Sequence, residues 1–162
     1  NNESNRFDFT RYFLEYRLRR TLDPEWVFGV KGLGLEVEYN DSNGANNNLL
    51  RFGVNFKHDI TLIAGQKSWL QWRYFPIQTN QYARSQASVA YRFGLTERLY
   101  ISGFADFNID ENGKNRWVAE PQLNYEIIDN VNFVLEGRMN EYEGANAKLT
   151  ATGVALGLKV LF

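Results

Sequence analysis

The sequence predicts an all-β fold, a transmembrane antiparallel up-and-down β-barrel, and three observations lead there. Turn-rich clusters recur at short intervals: Asp23-Pro24, Asp41 to Asn48, His58-Asp59, Gln78 to Gln81, Gly94 to Arg98, Asp110 to Asn115, Asp129-Asn130 and Gly144 to Ala147. Between them apolar and polar residues alternate, the period-2 signature of a strand with two unlike faces. Aromatic residues make up 15% of the 162 residues and fall into two groups once alternate strands are laid antiparallel.

Nine runs carry the alternation. Across Arg6–Arg20, Tyr12, Leu14, Tyr16 and Leu18 oppose Arg11, Glu15, Arg17 and Arg19. Trp26–Asn40 sets Leu33, Leu35, Val37 and Tyr39 against Glu36 and Glu38, and Leu49–Lys57 sets Leu50, Phe52, Val54 and Phe56 against Arg51, Asn55 and Lys57. The fourth run, Ile60–Phe75, is interrupted by Gln66, Lys67 and Ser68. In Tyr82–Phe93, Val89, Tyr91 and Phe93 face away from Arg84, Gln86, Ser88 and Arg92. Leu99–Asn108 separates Leu99, Ile101 and Phe107 from Ser102, Asp106 and Asn108. Arg116–Ile127 opposes Trp117, Leu123, Tyr125 and Ile127 to Arg116, Glu120, Gln122, Asn124 and Glu126. Val131–Tyr142 does the same with Val131, Phe133, Leu135 and Met139 against Asn132, Glu136, Arg138 and Asn140. Lys148–Phe162 ends the series, with Thr152, Val154, Leu156, Leu158, Val160 and Phe162 on one side and Ala151, Gly153, Ala155, Gly157 and Lys159 on the other.

Composition bounds the alternatives. A mean hydropathy of −0.45 and the lack of any apolar stretch of about 18 residues exclude a helical span. Without cysteine there is no disulfide scaffold and no thiolate metal site, and a single histidine leaves little for triad or His-ligated chemistry. A net charge of −1 gives no electrostatic footprint for nucleic acid. Asn1–Asn5 are polar with no apolar run behind them, so no secretory leader is expected. No enzyme activity, cofactor or metal is expected: His58-Asp59 reads as a turn with no serine patterned beside it, and Glu36 and Glu38 have the spacing of any polar strand face. The Asp/Asn/Gly loops lack the acidic spacing of a calcium loop.

Alternation alone serves two architectures. In a soluble sandwich or lipocalin-like barrel the apolar face is the core. In a transmembrane barrel it faces lipid, between aromatic girdles. With the last strand running down, Tyr91, Phe93, Tyr125, Phe56 and Phe162 group near a lower interface, and Tyr12, Tyr39, Trp72, Tyr74, Phe107 and Trp117 near an upper one. Girdles favour the membrane form.

Two resemblances point the same way. The ending Gly157-Leu158-Lys159-Val160-Leu161-Phe162 resembles the terminal-strand signal read by the outer-membrane barrel assembly machinery, with Ala155 where a polar residue is expected. From Phe93 to Met139 the chain resembles the monomeric outer-membrane porins of the OmpG type and, more loosely, the oligosaccharide porins of the KdgM and NanC type. The resemblance rests on Arg116-Trp117, Pro121, Asp129, Phe133 and Met139, preceded by the Phe93-Gly94-Leu95-Thr96 turn and Gly113-Lys114. It implies a bacterial outer-membrane barrel forming a passive diffusion channel, with the lipid bilayer and lipopolysaccharide as surroundings. It also lends sense to Pro121, which cannot donate to a strand ladder.

Nine is an odd count, while bacterial single-chain barrels are even-numbered. Either one strand is miscounted, giving eight or ten, or the chain begins within an external loop of a larger barrel. The polar faces then line the lumen: the candidate pore-lining residues are Arg11, Arg17, Glu36, Glu38, Arg51, Arg73, Arg84, Arg92, Asp106, Arg116, Glu120, Glu136 and Arg138, with Arg19, Lys57, Lys159, Glu15 and Glu126 beside them. Arginine predominates and suits carboxylates and sulfates, so an open lumen of this kind favours small hydrophilic anions such as acidic oligosaccharides. The alternative is a lumen filled by its own side chains, a closed barrel serving as an anchor or as an adhesion protein through its external loops.

Overall fold

The computed structural model describes residues 13–22, 32–42, 48–79, 83–110, 115–141 and 152–161. They form nine strands: β1 (Phe13–Thr21), β2 (Leu33–Ser42), β3 (Leu49–Ile60), β4 (Ser68–Gln78), β5 (Ala83–Gly94), β6 (Leu99–Asp110), β7 (Arg116–Ile128), β8 (Val131–Asn140) and β9 (Gly153–Val160). Each pairs antiparallel with the next, giving one up-and-down sheet in sequence order. An odd meander leaves β1 and β9 running the same way. They are the two edges, and among the described residues no pairing joins them, so the sheet is not closed. It is curled nonetheless: Arg17 of β1 and Lys159 of β9 line one cavity together with residues of β4 to β7.

The two faces are inverted relative to a water-soluble sheet. Large apolar side chains point outward and are exposed, among them Leu18 (75%), Trp72 (51%) and Leu156 (69%). The inward face is polar and buried: Glu36, Glu38, Asn55, Gln86, Ser88, Asn108, Asn124 and Asn132. Among the described residues only Phe75, Ala90, Tyr100 and Val134 form a buried apolar set. Strand parity produces this directly, because residues two apart share a face.

Local chemistry sets the turns. Asp129-Asn130 closes β7 onto β8 with Asn130 at φ 65°, a left-handed conformation that asparagine tolerates. At 95–98, Thr96 Oγ1 accepts from the Arg98 and Leu99 amides, and the Leu95 and Thr96 amides donate to the Leu99 carbonyl. Gly53 permits a bulge: β4 has one more residue than β3 between Phe52↔Ile77 and Val54↔Tyr74. A Cβ on Gly53 would lie 2.1 Å from the Tyr74 carbonyl oxygen and 2.8 Å from the Phe75 ring. The missing side chain therefore makes room for Phe75, fully buried against the inward face.

Several sequence expectations are corrected. The run expected over Ile60–Phe75 is two things: β3 continues to Ile60, a connection spans 61–67, and β4 starts at Ser68. Gly65 at φ 78° and the bond from the Gln66 amide to the Ile63 carbonyl turn the chain where Gln66 and Lys67 broke the alternation. His58-Asp59 is not a turn but lies within β3, opposite Leu70 and Trp69, with the His58 ring stacked on Phe56. Trp72 pairs directly with Phe56, so these two rings share a level and cannot belong to opposite girdles. The Phe107–Trp117 pair and the stacked Tyr91–Phe93 pair do separate. Phe107 is level with Ala87, and the six residues from there to Phe93 span about 20 Å of strand. Pro121 sits inside β7, opposite Gly103 on one side and beside Gly137 on the other, whose added Cβ would be 3.5 Å from the proline ring. The expected extensions Arg6–Tyr12, Trp26–Lys31, Tyr82, Tyr142, Lys148–Ala151 and Phe162 lie outside the described residues.

Candidate functional site

The inward face is the candidate site, and its two halves differ. On β1 to β4, register brings opposite charges together: Arg17↔Glu38 and Glu38↔Arg51 are cross-strand partners. Glu38 accepts from Arg17 Nε at 2.8 Å, from Arg51 and from Asn40 Nδ2 at 2.9 Å, with its own side chain 2% exposed. Arg17 also reaches Glu15 at 2.9 Å, and Arg51 Nε donates to Gln78 Oε1 at 3.0 Å. Arg73 approaches Glu36 at 3.7 Å, an ion pair without a hydrogen bond. The buried Glu38 carboxylate is thus compensated by hydrogen bonds as well as charge, whereas Arg73 and Glu36 have the charge alone.

On β5 to β8 the contacts are mostly neutral or half-neutral. Ser88 donates to Asp106, while the Gln86 amide donates to Asp106 at 3.2 Å and to Asn108 at 3.0 Å. Gln122 donates to Glu136 at 2.6 Å, and Asn124 to Ser102 at 2.9 Å. Arg138 pairs with Glu120 at 3.2 Å, half exposed. The Arg92 guanidinium lies 3.5 Å over the Tyr100 ring, and the Tyr100 hydroxyl donates to Asn132 Oδ1 at 3.1 Å.

Between these halves lies a cavity of about 270 Å³ lined by Arg17, Arg73, Arg92 and Lys159 with Trp69, Tyr91, Tyr100, Phe104 and Gln122 among the rest of its wall. Among the described residues no carboxylate lines it. The structure thus brings Arg17, Arg73 and Arg92 of the candidate pore-lining set to one space, and gathers Glu36, Glu38 and Arg51 into the ion-paired cluster beside it. Asp106, Glu120, Glu136 and Arg138 share the inward face without lining the cavity. Arg116 occupies the same face at the far end, opposite Asn108. Arg11 lies outside the described residues, and so does the side chain of Arg84 in β5.

Sequence reasoning missed the inward aromatics Trp69, Phe75, Tyr100 and Phe104. Parity carried a signal for all four: Tyr100 and Phe104 keep step with Ser102 and Asp106. Trp69 and Phe75 likewise keep step with Arg73, and the Gly53 bulge changes the parity only beyond Phe75, where Ile77 is exposed and Gln78 meets Arg51. Comparison with protein-family models, curated proteins and solved structures gives no match.

Proposed function

We propose that the chain is part or all of a transmembrane β-barrel of the bacterial outer membrane and acts as a passive channel for small hydrophilic, preferably anionic, solutes such as acidic oligosaccharides. The observation that carries the reading is the inversion of faces: exposed Leu, Val, Phe and Trp outside, buried carboxylates and amides inside. In water such an apolar surface far exceeds what a monomeric protein tolerates, whereas next to hydrocarbon it is the stable arrangement and every inner polar group needs a partner or water. Anion preference rests on the carboxylate-free cavity rather than on the lumen as a whole, because most other inward cations are already paired. As an outer-membrane barrel it would reach its place through the barrel assembly machinery.

The test is single-channel conductance of the refolded chain in a planar bilayer under a salt gradient. Steady steps with a reversal potential on the anion side are expected, and Arg92→Glu should move that potential toward cation preference. Silence from a chain that still changes gel mobility on boiling would overturn the channel and favour the filled barrel used as an anchor, the reading to which the Glu38 cluster and the buried Phe75 lend weight.

A further inference from the structure

We propose that the inner cavity is a defined binding site for the oxyanion group of a small organic solute, with Arg92 and Lys159 as its anion-holding pair. This deepens the channel reading, since it takes the inward face as reachable by solutes, but it requires binding and not conduction. Of the four cations on the wall, Arg17 is bound to Glu38 and Glu15, and Arg73 stands against Glu36. Arg92 and Lys159 have no ion pair among the described residues.

Arg92 is held ready. Its guanidinium is stacked at 3.5 Å on Tyr100, which is itself 4% exposed and tethered through its hydroxyl to Asn132. Stacking occupies the face of the fork and leaves its N–H edge for a planar or tetrahedral oxyanion, the geometry arginine serves best. Lys159 is the cross-strand partner of that same Asn132. Asn132 is 1% exposed and stands behind the cavity wall, where its Oδ1 holds the Tyr100 hydroxyl on which Arg92 depends. Glu136, the acid beyond Gln122, accepts from that amide at 2.6 Å and keeps its charge, which acts on Lys159 through space without forming an ion pair. Apolar wall is supplied by Trp69 and Phe104. A volume of about 270 Å³ falls just under the roughly 300–1,000 Å³ of drug-sized pockets, so the site takes one ring-sized unit, whose carboxylate or phosphate meets Arg92 and Lys159.

The experiment is equilibrium binding to the refolded full chain in detergent micelles, read from the emission of Trp69 with the other three tryptophans replaced by phenylalanine. Glucuronate, glucose 6-phosphate and glucose share a ring and differ in charge. Saturable responses to the first two, mutual competition and no response to glucose are expected, and the tighter of the two identifies the carboxylate or the phosphate as the preferred group. Arg92→Gln and Lys159→Gln should each weaken binding at least about tenfold, as loss of a charge-assisted hydrogen bond does, while Arg138→Gln outside the cavity leaves it unchanged. Lys159 stands on an edge strand, so its variant decides the matter if Arg92→Gln does not refold. A response that never saturates, that glucose reproduces, or that survives folded Lys159→Gln overturns the site. Binding without conductance would leave it standing and retire only the channel.

Discussion

The inward faces of β1–β4 and β5–β9 are built from the same kinds of residue and end in different states. On the first, register sets Glu38 between Arg17 and Arg51, and charge is consumed internally. On the second, Asp106 and Glu136 are met by Ser88, Gln86 and Gln122, Glu120 pairs with half-exposed Arg138, Arg92 rests on a ring, and Lys159 has no acid at ion-pair distance among the described residues. What differs is the cross-strand partner, not the composition. Charge on a polar strand face is therefore structural where the facing position carries its opposite, and available for recognition where it does not.

The largest expected effect breaks the first half. Glu38→Gln removes the negative charge that two guanidiniums share and puts an NH2 donor where one of their acceptors stood, a loss of about 3 kcal/mol or more in urea unfolding from micelles. A change under about 1 kcal/mol would mean that water screens the cluster as it does a surface pair. Next comes Gly53→Ala, whose Cβ would have to displace the Tyr74 carbonyl and the Phe75 ring. About 1–3 kcal/mol of overpacking is expected, and an unperturbed melting profile would argue against the bulge. Arg138→Gln is the smallest. Its side chain is 52% exposed, so losing the Glu120 pair should cost below about 1 kcal/mol by the same unfolding measurement. If it matches Glu38→Gln, the contrast between the halves is wrong.

Much of this was legible in the sequence. Period-2 alternation placed nine strands and assigned Glu36, Glu38, Gln86, Asp106, Asn124 and Asn132 to one face, because the pleat leaves no freedom in which side a residue takes. Parity fails only where the chain slips. At Gly53 a residue is added on the facing strand, which sets Ile77 outward and Gln78 inward beyond Phe75, and at 61–67 a connection resembles strand because Thr61, Leu62, Ile63 and Ala64 are apolar or β-branched. Partner identity was not legible at all. Which carboxylate meets which arginine depends on register between strands, fixed by turn lengths and bulges that a single strand's pattern does not contain.

The direct test of the central claim compares two tryptophans on one strand. Single-tryptophan chains retaining Trp72, outward and 51% exposed, or Trp69, on the cavity wall, would be refolded into bilayers with brominated acyl chains. The account predicts strong quenching of Trp72 and little of Trp69, since only the outward face meets hydrocarbon. Equal quenching of the two, or quenching of Trp69 alone, would contradict it.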